Sequence, residues 1–328
     1  MFGEQVGHIP LPPALEAVDI PYLQKIQGKV RDVFKIGNGR LALVATDRLS
    51  AFDRNVGSIP NRGQVLNQLS AWWFERTRDI IPNHVLEVPD PNVMIVRELE
   101  RINLEMVVRR FNTGSTSTAI WTRYQNGERK FGGVVLPDGM SKNDPLPHAL
   151  ITPTSKAIHG HDQNLTETEI LESGMVTPLE WQALKSTALA LFARGQELSQ
   201  QAGLILVDTK YEFGRDPDTG SIVLIDEIHT PDSSRFWGQA HINNTTDEIQ
   251  QPPHFDKEYL RLWLADQGYT GDGDLPQLPE DMIQEIRGRY IHTYKMLTGK
   301  IFEPAGSDRQ AAIATAIYQY VDPFLNRF

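Results

Sequence analysis

The sequence predicts an α+β fold in which antiparallel strands and helices occupy different parts of the chain. Strand patterns dominate residues 20–110, a long helix and a hairpin follow in residues 111–250, and residues 251–328 are helical. A chain of 328 residues with 40% hydrophobic content is long enough to bury the cores of two domains. We therefore expect a β-rich lobe over residues 1–110, an α/β lobe over 111–250, and a helical appendage over 251–328 that packs on the second lobe.

The N-terminal part is predicted to open with a hairpin. Residues 28–35 and the apolar run of residues 41–46 flank the turn signal Gly37-Asn38-Gly39. Apolar residues at helical spacing then predict a helix over residues 63–78. Strand character returns at residues 94–99 and 104–108.

The clearest helix begins after Thr177 and stops at Gly203. Thr177 is the expected N-cap, Pro178 suits the first turn, and Glu180 stands at the capping-box position. Its expected buried stripe is Trp181, Leu184, Ala188, Leu191 and Leu198. Beyond Pro252-Pro253, three further helices are predicted over residues 256–266, 280–297 and 308–320.

A second hairpin carries a concentration of charge. Two apolar runs, residues 204–207 and 222–225, flank the turn at residues 216–220. In an extended chain Asp208, Lys210 and Glu212 project to one face, and Asp226 ends the neighbouring strand. Carboxylates this close are costly unless a cation neutralises them, and Mg²⁺ with a nucleotide triphosphate suits oxygen ligands. The alternative is a solvated hairpin held by salt bridges.

The composition narrows the class of protein. A net charge of −10 disfavours a nucleic-acid partner, because phosphate backbones are bound by clustered Lys and Arg. The absence of cysteine excludes disulfides, thiolate nucleophiles and cysteine-based zinc sites. Residues 1–13 lack a signal-peptide core and no apolar run approaches about 18 residues, so we expect a cytoplasmic protein with no membrane partner. Both a monomer and a homo-oligomer are compatible with the sequence.

Three other segments could bind anions or substrates. GKVRDVF at residues 28–34 places glycine and two cations on a strand that enters a tight hairpin. ATDRLSAFD at residues 45–53 is more polar than a simple edge strand and suits a binding loop. VVRRFNTGSTST at residues 107–118 offers a turn whose N–H groups could hold an anion. Taken singly, a solvated strand, a polar loop and a hydroxyl-capped turn explain them as well.

Taken in order, these segments resemble the phosphoribosylaminoimidazole-succinocarboxamide synthase (SAICAR synthetase) family over most of the chain. The resemblance rests on GKVRDVF, ATDRLSAFD, VVRRFNTGS, LPDGM with ITPTSKAIHGHD, LVDTKYEFG and DEIHTPDSSRFW. The length and the GSTSTAIW run are similar to the longer branch of the family. One departure is Arg110-Phe111, where Gly-Tyr is expected, and it adds a charge beside Arg109.

The resemblance implies a two-lobed, kinase- or ATP-grasp-like fold with an antiparallel N-terminal sheet and ATP between the lobes. It also implies an ATP-dependent ligase that joins L-aspartate to 5-aminoimidazole-4-carboxylate ribonucleotide (CAIR). The reaction would pass through an acyl phosphate and give SAICAR, ADP and phosphate. ATP, CAIR and L-aspartate would be the partners, and Mg²⁺ the cofactor.

The resemblance further implies roles for individual residues. Glu212 and Asp226 would hold Mg²⁺, assisted by Asp208, and Lys210 would lie where the CAIR carboxylate is activated. The expected nucleotide contacts are Gly28, Lys29, Val30, Arg31, Arg97 and Leu99. The expected contacts to CAIR and aspartate are Ser50, Asp53, Arg109, Gly114, Ser115, Lys156, His161, Asp162, Ser233, Ser234 and Arg235. For Arg235 the alternative is a structural ion pair with Asp226 or Glu227.

Two other functions stay open at this stage. A generic ATP-dependent phosphotransferase would share the nucleotide and metal sites but would stop at a phosphorylated product. A non-catalytic nucleotide-binding regulator would share the fold. The charged residues that such a regulator would often lose are all present here, namely Lys29, Lys210, Glu212, Asp226 and Arg235.

Overall fold

The structure, a computed structural model, describes residues 11–52, 54–156, 163–239 and 253–325. The chain divides into two compact units. The first contains residues 1–75, 83–99 and 263–328, and the second contains residues 76–82 and 100–262. Among the described residues, no helix has both the length and the apolar character needed to cross a membrane.

Strands and helices alternate irregularly along the described chain, as an α+β fold requires. In chain order they are β1 (Gln24–Gln27), β2 (Arg31–Gly37), β3 (Arg40–Ala45), β4 (Arg48–Ala51), β5 (Arg54–Ser58), α1 (Arg62–Arg76), β6 (Val85–Asp90), β7 (Val93–Arg97), β8 (Glu100–Phe111), α2 (Ile120–Gln125), β9 (Lys130–Phe131), β10 (Val134–Val135), β11 (Pro145–Ile151), β12 (Thr154–Ser155), α3 (Glu167–Glu172), α4 (Pro178–Gln201), β13 (Leu204–Arg215), β14 (Ile222–Ile225), β15 (Ser234–Gly238), α5 (Glu258–Asp266), α6 (Glu280–Thr298) and α7 (Arg309–Tyr318).

The core of the first unit lies on one face of a five-stranded antiparallel sheet with the order β1-β2-β3-β7-β6. Phe34 and Ile36 are fully buried because alternate residues of β2 point to the same face. Ile313 and Ile317 of α7 belong to the same apolar cluster. The C-terminal helices were expected to pack on the second lobe. Residues 263–328 belong instead to the first unit, and the apolar stripe of α7 packs on the sheet of that unit.

The predicted N-terminal hairpin is confirmed, with one change at its start. β2 pairs antiparallel with β3 around the turn of Gly37, Asn38 and Gly39, all three of which have positive φ. The strand begins only at Arg31, not at Gly28. Residues 28–30 instead form the turn between β1 and β2, so Lys29 lies at a hairpin tip rather than within a strand.

The second unit is built on a six-stranded antiparallel sheet with β8 and β13 at its centre. Its order is β11-β8-β13-β14, with β12 also paired to β8 and β15 to β13. The helix α4 packs on β13 and β8. Its predicted N-cap, Thr177, forms a capping box with Glu180. Trp181, Leu184, Ala188 and Leu191 are buried as predicted, whereas Leu198 is half-buried.

The three predicted C-terminal helices are confirmed as α5, α6 and α7. Gly299 ends α6 in the left-handed conformation, and Asp308 caps α7 by accepting a hydrogen bond from the Ala311 N–H. The boundary between the two units falls within α5, after Leu262. The start of α5 therefore belongs to the unit that contains β13.

Candidate active site

The strand β13 carries the charged residues of the second unit on a single face. Asp208, Lys210 and Glu212 alternate with Thr209, Tyr211 and Phe213, which point to the opposite face. Asp208 and Glu212 are both buried, and Lys210 is half-buried. The predicted hairpin is also confirmed, because β14 pairs with β13 and ends at Ile225, next to Asp226. Same-face residues two positions apart on a strand are roughly 7 Å apart. Two groups of side chains form along this face.

The first group, which we call the lysine cluster, comprises Glu105, Lys156, Lys210, Glu212 and Asp226. Glu105 on β8 lies directly across from Glu212 in the strand register, a pairing of like charges that is unfavourable by itself. Lys210 bridges the pair, with its Nζ 2.7 Å from Glu105 and 3.6 Å from Glu212. Lys156 forms a close ion pair with Glu212 and lies 3.6 Å from Glu105. The carboxylates are thus neutralised only in part.

Charge and burial shift the pKa values of this cluster in opposite directions. Burial, together with the charge of Asp226, raises the pKa of Glu212 to about 7. Burial would lower the pKa of Lys210, but the charges of Glu105, Glu212 and Asp226 raise it well above its usual value. Lys210 is therefore a permanent cation. Three carboxylates against two ammonium groups give a net charge of −1 when all are ionised, and this surplus suits a divalent cation.

The second group, which we call the arginine cluster, comprises Arg109, Asp208, Arg235, Glu258 and Arg261. The register places Asp208 opposite Arg109 on β8 and opposite Arg235 on β15. Its Oδ2 accepts from Arg235 Nη1 at 2.5 Å and from Arg109 Nη1 at 3.4 Å. Arg235 therefore pairs with Asp208 and Glu258, not with Asp226 or Glu227 as the structural alternative proposed.

The arginine cluster is closed off from solvent and positively charged. Arg109, Asp208, Arg235 and Glu258 have side chains no more than 9% exposed. Burial lowers the pKa of Arg109 to about 10, and Asp208 limits this shift, so the guanidinium stays charged at neutral pH. The four buried side chains balance in charge, and the partly exposed Arg261 adds a third guanidinium, so the cluster carries a net charge of +1. This positive surplus suits an anion such as a phosphate.

The turn of residues 113–116 lies against the arginine cluster. Gly114 has φ of +104°, and a Cβ added there would lie 2.9 Å from Arg235 Nη2. The Ser115 side chain interacts with the Glu258 carboxylate and helps to lower its pKa. The structure therefore brings Arg109, Gly114, Ser115 and Arg235 together, all four of which the sequence predicted as substrate contacts.

The loop from Asp226 to Ser234 joins the two clusters along β13. Asp226 has φ of +68°, a conformation that Asp tolerates better than most residues. Ser234 donates to Thr209 Oγ1 at 2.7 Å, and the Ser233 Oγ lies 3.3 Å from the Thr230 hydroxyl. Both serines are buried; the Ser234 hydroxyl fixes the end of the loop to β13, whereas the Ser233 hydroxyl contacts Thr230 within the loop.

The hairpin tip of residues 28–31 is organised by two buried side chains of the first unit. Arg48 donates to the carbonyl oxygens of Gly28 and Lys29 at 3.0 and 3.2 Å. Thr46 donates to the Val30 carbonyl oxygen through both its N–H and its hydroxyl. Gly28 and Lys29 are themselves exposed. Arg48, which the sequence placed in a binding loop, therefore shapes the tip.

The remaining predicted residues lie in separate places. Ser50 is half-buried on β4, and Arg97 ends β7, with its N–H bonded to the His84 carbonyl oxygen at 2.9 Å. Leu99 is the last residue of the first unit before the chain enters β8. Lys156, which was expected near the substrates, lies in the lysine cluster. Asp53, His161 and Asp162 lie outside the described residues.

Sequence reasoning missed two buried acids, Glu105 and Glu258. Glu105 stands among apolar residues at a position that alternation assigns to the charged face of β8, so a period-two count could have found it. Glu258 carried no such signal, because an acid in the first turn of a helix is ordinary. Both residues of the unexpected Arg110-Phe111 pair have partners within the second unit: Arg110 donates to the Leu146 carbonyl oxygen, and the Phe111 and Trp237 ring centroids lie 4.8 Å apart.

The carboxylates of the lysine cluster could hold a metal ion only with help from other oxygen ligands. Within the described ranges, no group of three His, Cys, Asp or Glu side chains is placed to bind a metal unaided. Mg²⁺ is commonly held by one or two carboxylates plus substrate phosphates. Glu212 and Asp226 fit that pattern, because they repel each other and a divalent cation would relieve the repulsion.

Comparison with known proteins identifies the family. A profile described as SAICAR synthetase matches residues 24–278. The phosphoribosylaminoimidazole-succinocarboxamide synthase of Legionella pneumophila (strain Paris) is 47% identical over 293 residues, which cover 89% of this chain and 93% of the relative. The chloroplastic enzyme of the same name from Arabidopsis thaliana is 47% identical over 276 residues, covering 84% and 66%. The solved structure of SAICAR synthase from Saccharomyces cerevisiae complexed with SAICAR aligns with a TM-score of 0.74 at 29% identity, covering 88% of this chain and 99% of that one. The chain belongs to the SAICAR synthetase family.

Proposed function

We propose that the protein joins L-aspartate to CAIR in an ATP-dependent reaction that yields SAICAR, ADP and phosphate. The observation that carries this proposal is the placement of both clusters on one face of β13. The arginine cluster, with its positive surplus, suits the ribose phosphate of CAIR. The lysine cluster begins two residues further along the strand, at Lys210, and suits a carboxylate that is to be phosphorylated.

Lys210 has the charge and the placement to act on the CAIR carboxylate. A carboxylate is a poor acyl donor, so its oxygen first attacks the γ-phosphorus of ATP and releases ADP. The aspartate amine then attacks the carbonyl carbon, and phosphate leaves with the bridging oxygen. Lys210 stays protonated throughout and stabilises the negative charge that develops on the transferring group.

We further propose Mg²⁺ as the cofactor, held by Glu212 and Asp226 together with the nucleotide phosphates. When bound, the ion neutralises the β- and γ-phosphates. Asp208 is not assigned to the metal, because its carboxylate is already shared between Arg109 and Arg235. This reassigns Asp208 to the arginine cluster, where it orients both guanidiniums.

The nucleotide contacts are proposed on the hairpin tip of residues 28–31 and at Arg97 and Leu99. Lys29 supplies an exposed ammonium group at the tip, and the main chain there is held in place by Arg48. For CAIR and L-aspartate, the further proposed contacts are Ser50, Asp53, His161 and Asp162, with Lys156 as a cation close to Glu212. The cytoplasmic location stays a prediction from the sequence.

A coupled assay of ADP release tests the proposal. CAIR and L-aspartate are added to the enzyme with ATP and Mg²⁺, first separately and then together, and L-glutamate replaces aspartate as a control. Fast ADP release is expected only with CAIR and aspartate together. Equal rates with water, glutamate and aspartate would support the phosphotransferase instead, and no ADP release under any condition would support the regulator.

A further inference from the structure

Glu258 is the one acid of the arginine cluster that does not come from β13. It begins α5, in a segment that runs beside the strand that carries Arg235. Phe255 donates its N–H to the Phe236 carbonyl oxygen at 3.1 Å, and the Asp256 carboxylate accepts from the N–H groups of Phe236 and Glu258 at 2.8 and 2.7 Å. The Glu258 backbone is therefore fixed relative to β15 by one main-chain hydrogen bond and by the Asp256 carboxylate, which bridges the two N–H groups.

The Glu258 side chain holds one edge of the Arg235 guanidinium. Its Oε2 accepts from Arg235 Nε at 3.4 Å and from Nη2 at 3.2 Å, while Asp208 accepts a hydrogen bond from Nη1 on the other side of the guanidinium. A guanidinium is planar, so acceptors on two edges define the orientation of its plane. In this orientation Nη2 lies over Gly114, at the place where any larger residue would need its Cβ.

The same carboxylate also reaches the neighbouring turn. It accepts from Arg261 Nη1 at 3.2 Å and interacts with the Ser115 side chain, which helps to lower the Glu258 pKa. Burial would raise the pKa of Glu258, but the charges of Arg235 and Arg261 lower it well below its usual value, so the carboxylate stays ionised at any pH where the enzyme would be assayed. Glu258 thus connects Arg235 and Ser115, both proposed as contacts of CAIR.

We infer that Glu258 is a positioning residue for CAIR, which fixes Arg235 and Ser115 in the arrangement that receives the ribonucleotide phosphate. The inference rests on the proposed function, because it assumes that these two residues bind CAIR. It assigns to the start of α5 a role in substrate recognition. Glu258 itself repels a phosphate, so its contribution must come from geometry rather than from attraction.

Two substitutions separate geometry from charge. Glu258→Asp keeps the charge but shortens the side chain by one methylene, which breaks the contacts to Arg235. Glu258→Gln keeps the reach and an acceptor oxygen but removes the charge. The matched control is Glu180→Asp, because Glu180 makes the same two-nitrogen contact with Arg215, at 2.6 and 3.2 Å, on the other end of β13.

The test is equilibrium titration of the full-length variants with CAIR, with its phosphate-free ribonucleoside, and with MgATP, beside melting temperatures. Glu258→Asp is expected to weaken CAIR binding about tenfold, with MgATP and the ribonucleoside changed less than about twofold. Glu258→Gln should stay within about threefold of wild type for CAIR, and Glu180→Asp should match wild type for all three ligands.

The inference is overturned if Glu258→Asp binds CAIR like wild type, if it loses all three ligands alike, or if Glu258→Gln is the more damaging change. Wild-type protein that fails to bind CAIR would overturn both this inference and the proposed function. Wild-type protein that binds CAIR, combined with an unaffected Glu258→Asp variant, would overturn this inference alone.

Discussion

The lysine and arginine clusters occupy the same face of β13 but differ in charge balance and closure. In the arginine cluster each carboxylate is shared by two guanidiniums, all side chains except the partly exposed Arg261 are almost fully buried, and positive charge is in surplus. In the lysine cluster both ammonium groups are about a third exposed, and negative charge is in surplus. A preformed, closed cluster suits recognition of a fixed anion, whereas an open cluster with excess carboxylate suits groups that arrive and change during the reaction.

The largest effect is expected from removing the surplus carboxylate of the lysine cluster. Asp226→Asn keeps the size of the side chain and removes its charge. It should lower kcat/KM roughly a hundredfold at saturating Mg²⁺, equivalent to about 3 kcal/mol of transition-state stabilisation. Asp218→Asn, in the exposed turn at the other end of the same hairpin, is the control. Activity of Asp226→Asn within a few-fold of wild type would exclude Asp226 as a metal ligand.

The opposite face of β13 provides the next test. Tyr211 lies 2.5 Å from Nε2 of His229, and burial lowers the pKa of His229 to about 3. The folded state therefore favours the neutral imidazole, so the stability it contributes is complete above the unfolded pKa of about 6.5 and is lost as the pH falls below it. Between pH 6.5 and 5 the loss of unfolding free energy should be about 1.6 kcal/mol.

Chemical denaturation across this pH range measures the effect. His229→Gln should show a shallower loss of unfolding free energy than wild type, while His148→Gln, at an exposed position on β11, should follow wild type. Parallel curves for wild type and His229→Gln would contradict the account of a neutral buried imidazole behind the site.

The arginine cluster is tested by replacing the fork of Arg235 with a point charge. Arg235→Lys cannot contact Asp208, Glu258 and a phosphate together, so KM for CAIR should rise about tenfold, equivalent to about 1.4 kcal/mol, while KM for ATP stays nearly unchanged. Arg215→Lys is the control, because it weakens the ion pair between Arg215 at the end of β13 and Glu180 of α4. An unchanged KM for CAIR in a destabilised protein would leave Arg235 with a structural role only.

The smallest effect is expected at the hairpin tip of the first unit. Lys29→Ala should raise KM for ATP by about fivefold, because one exposed charged contact to a phosphate is worth about 1 kcal/mol. KM for CAIR should not change. Lys35 lies on β2 of the same hairpin and forms a surface ion pair with Glu98. Lys35→Ala should leave both KM values unchanged. Equal effects of the two substitutions would remove Lys29 from the nucleotide contacts.

Much of the fold was predictable because local patterns coincide with the final elements. Three local patterns each favour a single conformation: the Gly37-Asn38-Gly39 turn, the capping box of Thr177 and Glu180, and the alternation of charged and apolar residues along β13. The packing of α7 on the sheet of the first unit was not predictable, because an apolar helix stripe does not specify which surface covers it.

The site was predictable where residues share a strand and less so where strands meet. Asp208, Lys210 and Glu212 follow from period-two alternation, but the placement of Glu105 opposite Glu212 depends on register. Asp208 was expected to assist the metal, and the register instead places it between two arginines. Glu258 enters through a chain segment distant in sequence, which no local pattern encodes.

The central claim is that this site phosphorylates the CAIR carboxylate before aspartate attacks it. CAIR labelled with ¹⁸O in its carboxylate, turned over with unlabelled ATP and aspartate, tests this directly by mass analysis of the released phosphate. Each phosphate should carry one ¹⁸O atom, because the acyl phosphate breaks at its carbonyl carbon. Phosphate without ¹⁸O, formed together with SAICAR whose amide carbonyl carries one ¹⁸O while the other label is lost to water, would contradict the claim.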